Sequence, residues 1–363
     1  GEDLKRQVLV GEYGAWRTID LHEVDSASKT DYSENYMTTL METKVRLADS
    51  VKDQVAGHFF WLYSSHDNPG RVQGGEGLRD LDRVGPVNYK GMFTPWEEPT
   101  DAYYMFRANY ASKQTDPMVY IVSHTWPNRW SKPGIKDSIV LYSNCDEVEL
   151  FNDVNSISLG KQRHKGIGNH FQWNKVDIHY NVLYAIGYVN GKAVAKDVVV
   201  LNSLPQSPKF DQLYTGDKSL IKAQPAYNYL YRLNCGGTDY RDEYGQLWLA
   251  DQPLKSDAKH YGSSSWTAAF DGVPAFFASQ RRTFSPINGT KDWKLFQSFR
   301  YGRDQLKFSF PIASSGEYLI ELYFAEPWLG IGGGLNAEKM RLFDVAVNDE
   351  IVLKDLDIWK SAG

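Results

Sequence analysis

Two short apolar runs within the first sixty-three residues each give way to residues that can do chemistry. Val8-Leu9-Val10 passes into Gly11-Glu12-Tyr13-Gly14, and Gly57-His58-Phe59-Phe60-Trp61-Leu62-Tyr63 into Ser64-Ser65-His66-Asp67. Apolar runs of this length read as buried strands, and the glycines beside Glu12 let the chain turn tightly at the strand's end. A carboxylate held there adds little to stability. It is well placed to act on a bound molecule, because (β/α)8 enzymes gather their catalytic groups at the C-terminal ends of parallel strands. Taken alone, the segment also fits a turn glutamate that faces water.

The elements that would position these groups follow from spacing. Ser33 to Val55 is predicted to be a helix. Ser33 is its N-cap, Tyr36, Leu40, Leu47, Val51 and Val55 approximate one apolar face, and Gly57 is expected to close it. Strand, helix, strand and loop in that order describe a parallel β/α unit. A glycine-rich stretch from Gly70 to Gly85 leads to Asn88-Tyr89-Lys90-Gly91-Met92-Phe93-Thr94-Pro95 and an aromatic-rich helix over Thr100–Tyr110.

These motifs, in this order, resemble the C-terminal end of the catalytic barrel of glycoside hydrolase family 2, the β-galactosidase and β-glucuronidase group. The resemblance covers residues 1–112 and implies roles residue by residue. Glu12, in Glu-Tyr-Gly, takes the place of the nucleophile, and Trp61 that of the tryptophan flooring the sugar subsite. Asn88 and Lys90 match an Asn-x-Lys segment that binds the sugar carboxylate in β-glucuronidases and also occurs in β-galactosidase-like relatives. An ordinary barrel takes about 250 residues, so the acid/base glutamate is expected upstream of Gly1, in a longer parent. Retaining hydrolysis needs two carboxyl groups, so the chain alone is expected to be inactive.

From residue 113 to 204 the pattern changes to short strands: Met118–Val122, Ser138–Tyr142, Glu147–Phe151, Asn181–Tyr188 and Val194–Val200. Asn190-Gly191 is a strong hairpin signal between the last two. Regularly spaced strands suggest an immunoglobulin-like β-sandwich, which resembles the domain following the barrel in many family 2 enzymes. Trp126, Trp130 and Trp173 fit core packing better than a glycan surface. Residues 205–227, rich in turn formers, read as a linker.

Residues 228–363 carry a second resemblance, to malectin-type carbohydrate-binding domains of jelly-roll kind. Asn-Cys-Gly-Gly at Asn234, Arg-Tyr-Gly at Arg300, Phe-Ala-Glu at Phe324 and Phe-Asp-Val at Phe343 occur in the family's order. The resemblance implies a glycan site using Tyr261, Tyr301 and Trp328, with the family's ligand aspartate expected beyond Gly363. Aromatic faces suit the C–H face of a pyranose. Gly330-Ile331-Gly332-Gly333-Gly334 reads as a flexible loop, with no Lys-Ser/Thr to make a phosphate cradle.

The fold class expected is therefore multidomain and mainly β. It combines a partial (β/α)8 barrel end, an immunoglobulin-like sandwich and a malectin-like jelly roll. Lys and Arg number 40 against 45 Asp and Glu, a net charge of −5, so no basic footprint for nucleic acid or an acidic membrane is present. The 2 cysteines, Cys145 and Cys235, fall in different segments and suggest no disulfide framework. No cofactor is expected and no metal either: His22 with Glu23, and His58 with His66 and Asp67, lack zinc spacing, and His22 is expected in solvent. The partners expected are a β-linked oligo- or polysaccharide and the remainder of the parent enzyme, in a bacterial periplasmic or secreted setting. A β-galactosidase-like retaining glycosidase is the first reading. A β-glucuronidase and a non-catalytic glycan-binding fragment are the alternatives.

Overall fold

A computed structural model describes residues 7–24, 31–67, 87–216, 220–257, 259–265, 279–302 and 305–362, so the Gly70–Gly85 stretch lies outside the described residues. The chain forms two compact units, Gly1–Phe210 with Gly330–Leu335, and Asp211–Leu329 with Asn336–Gly363. It is mainly β, as expected.

The first unit opens with β1 (Val8–Tyr13), α1 (Glu34–Ser50) and β2 (Val55–Phe60). The two strands pair in parallel, which requires a crossover such as α1 supplies. Ser33 caps α1, its hydroxyl accepting from the Tyr36 N–H at 3.1 Å. The helix stops at Ser50, not Val55, because Val55 is already in the ladder opposite Val8. Gly57 is likewise a strand residue opposite Leu9, not a helix terminator. The buried face of α1 is Met37, Met41 and Val45, while Tyr36 and Leu47 are exposed. Met37, Met41 and Val45 recur every four residues, and Met41 and Val45 pack on Tyr104, Met105 and Ala108 of α2 (Asp101–Tyr110). That stripe, offset from the one chosen by hydrophobicity, meets the partner helix.

Next comes a sandwich of nine strands: β5 (Val119–Ile121), β6 (Gly134–Lys136), β7 (Ile139–Ser143), β8 (Glu147–Phe151), β9 (Ser158–Arg163), β10 (Phe171–Trp173), β11 (Val176–Ile178), β12 (Val182–Val189) and β13 (Lys192–Val200). Five of them, β5, β7, β8, β12 and β13, lie on the runs expected from sequence, whereas β6, β9, β10 and β11 were not expected. A four-stranded sheet, β13-β12-β8-β9, shares one core with a three-stranded sheet, β10-β7-β5. Val119, Ile121, Ile139 and Leu141 face that core, while the alternating Tyr120 and Tyr142 join the helices' cluster. Residues on both faces of β5 and β7 are thus packed, and Val119–Ile121 and Ile139–Tyr142 read as unbroken apolar runs, whereas β10 is broken by Gln172. Trp173 is core, as its structural reading held. The Gly330–Gly334 run, expected as a flexible loop, is a packed strap. The Val119 N–H donates to the Gly332 carbonyl at 3.1 Å, and a Cβ on Gly334 would stand 2.1 Å from the Pro117 carbonyl.

The second unit holds short pairs: β14 (Leu233–Asn234) and β15 (Tyr240–Arg241) flank β16 (Leu247–Ala250). β17 (Gly262–Ser265) pairs with β20 (Leu306–Ser309), β18 (Gln280–Arg282) with β19 (Ser298–Arg300), and β21 (Phe343–Val347) with β22 (Glu350–Leu356). Buried Arg300 pairs with buried Asp251 and donates to the Ser279 hydroxyl at 2.6 Å. The arginine of Arg-Tyr-Gly is therefore an internal strut. Ile221, in the turn-rich stretch, packs with Trp248 and Leu295.

Candidate active site

Tyr13 lies opposite Phe60 in the parallel ladder, so the C-terminal ends of β1 and β2 are side by side. Glu12 is exposed near the end of β1, and Trp61, directly after β2, is 43% exposed. The Trp61 N–H donates to the Tyr13 carbonyl at 2.7 Å. Gly14 makes this approach possible: a Cβ there would stand 2.2 Å from the Trp61 carbonyl oxygen. Successive side chains point to opposite faces of a strand, and Tyr13 takes the inner one. Its hydroxyl lies 2.6 Å from His58 Nδ1, and His58 Nε2 lies 2.8 Å from the Tyr110 hydroxyl. Burial holds the Tyr13 hydroxyl above its ordinary range and lowers His58. Tyr13 thereby ties β1 to α2 through His58, while Glu12 beside it is exposed.

A third segment is laid along the two chain exits. The Arg17 N–H donates to the Tyr89 carbonyl at 3.3 Å and the Leu62 N–H to the Lys90 carbonyl at 3.4 Å. Met92 and Phe93 donate to Leu62 and Tyr63, both at 2.9 Å. The Lys90 ammonium stands 4.9 Å from the centre of the Trp16 ring, a cation–π contact. Glu12, Trp61 and Lys90, far apart in sequence, thus come from segments that meet at one end of the β/α unit. Asn88 joins them through its backbone, in β4 (Val87–Asn88), which pairs with β3 (His66–Asp67) so that Asn88 lies opposite His66. Its side chain lies outside the described residues.

Three further groups at this end escaped the sequence reading. Trp16 and Arg17 directly follow the Glu-Tyr-Gly turn, and an aromatic–cation pair there is the signal that could have found them. Arg17 is 1% exposed, with no hydrogen-bond partner for Nε or Nη2. Glu98 accepts from Trp96 Nε1 at 2.8 Å. Burial pushes its carboxyl up to about 7 against that hydrogen bond and the charge of Arg17. His22, expected in solvent, is buried: Trp126 stacks on its ring at 5.2 Å between centroids.

In the second unit, Tyr261 is half-buried and donates to the Ala250 carbonyl at 3.0 Å. Tyr301 is half-buried with the Arg281 guanidinium 5.1 Å from its ring centre. Trp328 is 5% exposed, packed edge-on against Phe299 with Arg341 over its ring. Its face offers a pyranose no surface in this arrangement.

Residues 229–363 match the malectin domain family, and residues 134–195 match a domain of unknown function, DUF4982. A Formosa agariphila protein named "Putative beta-glucuronidase" is 31% identical over 244 residues, 65% of this chain and 28% of that protein. The chain resembles family 2 glycosidases and carries a malectin domain. Malectin-B of Xenopus laevis is 37% identical over 73 residues, 20% of this chain and 24% of that protein. The chain therefore spans less than a third of either curated relative. The crystal structure of a Parabacteroides merdae β-glucuronidase is 29% identical and covers 60% of this chain and 27% of its own, with a TM-score of 0.44. The likeness to β-glucuronidases rests on the sequence match to the Formosa protein and not on that superposition.

Proposed function

We propose that this chain supplies the nucleophile-bearing end of the active site of a retaining β-glycosidase acting on β-glucuronides. The observation that supports the reading is that Glu12, Trp61 and Lys90 lie on three segments whose backbones meet at one end of the parallel β1–β2 pair. In this reading the β/α unit is part of a (β/α)8 barrel and the sandwich is immunoglobulin-like. The Glu12 carboxylate attacks the anomeric carbon. A second carboxyl group, on an earlier strand of the parent enzyme, protonates the leaving oxygen and then activates water. Trp61 stacks beneath the sugar. Lys90, beside Asn88, offers a charge-assisted hydrogen bond to the C6 carboxylate. The name of the Formosa relative supports the uronide over the galactoside. The malectin domain would hold the enzyme on its polysaccharide through Tyr261 and Tyr301, in a periplasmic or secreted setting.

The test is hydrolysis of nitrophenyl β-glucuronide and β-galactoside by the chain extended to its natural N-terminus. Glu12→Gln is expected to lower kcat on the order of 10⁴–10⁶-fold, the scale for loss of a nucleophile. Lys90→Ala should cost about 10–100-fold on the glucuronide, the worth of a hydrogen bond to a charged group, and leave any galactoside cleavage unchanged. Galactoside cleavage alone would restore the galactosidase reading. A folded extended protein that cleaves neither would leave glycan binding.

A further inference from the structure

Behind the candidate active site, three donor-bearing side chains from distant parts of the sequence meet in the interior. His22 precedes α1, Glu34 is the first residue of α1, and Asp101 is the first residue of α2. Each is at least nine-tenths buried, and one ligand-type atom from each lies within 4.8 Å of the other two.

The arrangement of their hydrogen bonds is more telling than their proximity. His22 and Asp101 each spend one polar atom on a neighbour and leave the other unpaired. His22 Nε2 lies 3.3 Å from the Thr125 hydroxyl, and Nδ1 has no partner. Glu34 Oε1 accepts from the Asp101 N–H at 2.9 Å, while Oε2 lies 4.0 Å from His22 Nδ1. Asp101 Oδ1 accepts from the Tyr120 hydroxyl at 2.6 Å, and Oδ2 has no partner. Unpaired buried polar atoms are rare because each costs about 1–3 kcal/mol. Two in one cluster, with a Glu34 oxygen 4.0 Å from one of them, point to something that binds them.

We propose that His22, Glu34 and Asp101 form a binding site for one divalent metal ion of the Zn²⁺ or Mn²⁺ type. One imidazole nitrogen and two carboxylate oxygens suit these ions. Donors about 2.0–2.2 Å from a tetrahedral ion lie about 3.3–3.6 Å apart, so small side-chain rotations close the site. The second hydrogen bonds already orient the ligands: Thr125 fixes the imidazole, the α2 N-terminus fixes Glu34, and Tyr120 fixes Asp101. Outer partners of this kind accompany metal-binding histidines and carboxylates generally. Carboxylates on first helical turns are also favoured by the helix dipole. That accounts for two acids, but not for a histidine with a bare Nδ1 beside them. Arg129, the nearby cation, turns its Nη donors to the Val122 and Ser123 carbonyls and its Nε to the Trp126 carbonyl at 3.0 Å. No hydrogen bond joins it to either carboxylate. The closed, buried site is structural: it would pin the first turns of α1 and α2 to the segment before α1 that carries His22.

The test uses the full 363-residue chain, stripped with EDTA, dialysed and equilibrated with Zn²⁺ or Mn²⁺. One retained ion per chain by native mass spectrometry, and a higher Tm, are expected. Asp101→Asn, which keeps the volume and the Tyr120 contact, and His22→Gln should each weaken binding by at least the roughly 10–100-fold that losing even an outer partner costs. If one variant fails to fold, the other decides. Mn²⁺ in the unaltered chain should show coupling to a single imidazole nitrogen in pulsed electron paramagnetic resonance. A chain that retains no ion, variants that hold it as tightly, or Mn²⁺ without nitrogen coupling would each overturn the site.

Discussion

The sandwich and the β1–β2 pair are built from the same kind of residue and meet opposite fates. In the sandwich, Ile121, Leu141, Leu150 and Leu183 are wholly buried. Its two sheets cover each other, and Tyr120 and Tyr142 carry the outer face of one sheet into the helices. In β1, Val8, Leu9 and Val10 are 49%, 57% and 37% exposed, and Phe59 of β2 is 58% exposed. Only the Tyr13 and Phe60 side of that pair is packed. The sandwich buries its own core, whereas the strand pair carries the proposed site at its tip and leaves apolar surface open beside it. The two regions should therefore respond differently to the same deletion. Phe171→Ala in the sandwich core is expected to cost about 3–5 kcal/mol, read from urea unfolding of the chain. Leu9→Ala, already half in water, should cost well under about 1 kcal/mol. A Leu9→Ala penalty as large as the Phe171→Ala one would break the comparison and mean that β1 is covered in solution.

A glycine pair inside β1 and its exit sharpens the contrast on a smaller scale. A Cβ on Gly11 meets nothing within 4 Å, whereas one on Gly14 meets the Trp61 carbonyl at 2.2 Å. Gly11→Ala should leave stability within about 0.5 kcal/mol. Gly14→Ala forces the two strand ends apart, at about 1–3 kcal/mol, and separates Glu12 from Trp61. On the proposed glycosidase reading, Gly14→Ala should thus lose activity beyond its stability cost, and Gly11→Ala should not. Equal activity in the two would mean that the Tyr13–Trp61 contact does not set the site's geometry.

What could be read in the sequence follows the same division. The limits of β8 are those of the alternating run Glu147–Phe151, and Asn190 and Gly191 take the paired positive φ values, 50° and 76°, that their dipeptide announces. Such features are local, fixed by neighbours a few residues away. The buried face of α1 is not local. Tyr36-Leu40-Leu47 and Met37-Met41-Val45 are both apolar stripes, and only the position of α2 selects the second. The burial of His22 depends on Trp126, and that of Arg17 and Glu98 on how three loops stack. Glu12, Trp61 and Lys90 could be picked out because each sits in a contiguous motif. Trp328 lay in a motif too, but its burial under Phe299 and Arg341 is a matter of tertiary packing.

The smallest effect concerns the seam where helix and sandwich meet, which the strand pair lacks. His170, just before β10, lies with Nδ1 2.7 Å from Glu42 Oε2 of α1 and Nε2 3.1 Å from Gln172 Oε1. Both ring nitrogens face acceptors, an arrangement that only the imidazolium satisfies fully. The hydrogen bond to Glu42, against partial burial, raises His170 above its ordinary 6.5. The folded pKa exceeds the unfolded one, so the contact's stability is fully present below about 6.5 and is lost as pH rises through the folded value. The chain's Tm should therefore fall modestly over that window. Glu42→Gln removes the charge but keeps an acceptor, and should flatten the slope. Hydrogen exchange locates the effect: protection of α1 should decline as pH rises through the window, once the intrinsic rate is corrected, while β1 stays unchanged. A slope that persists in Glu42→Gln, or that appears equally in β1, would place the titrating group elsewhere. The seam would then hold through Met41, Val45 and the Arg46 donation to the Gly168 carbonyl at 3.2 Å, without the Glu42–His170 pair.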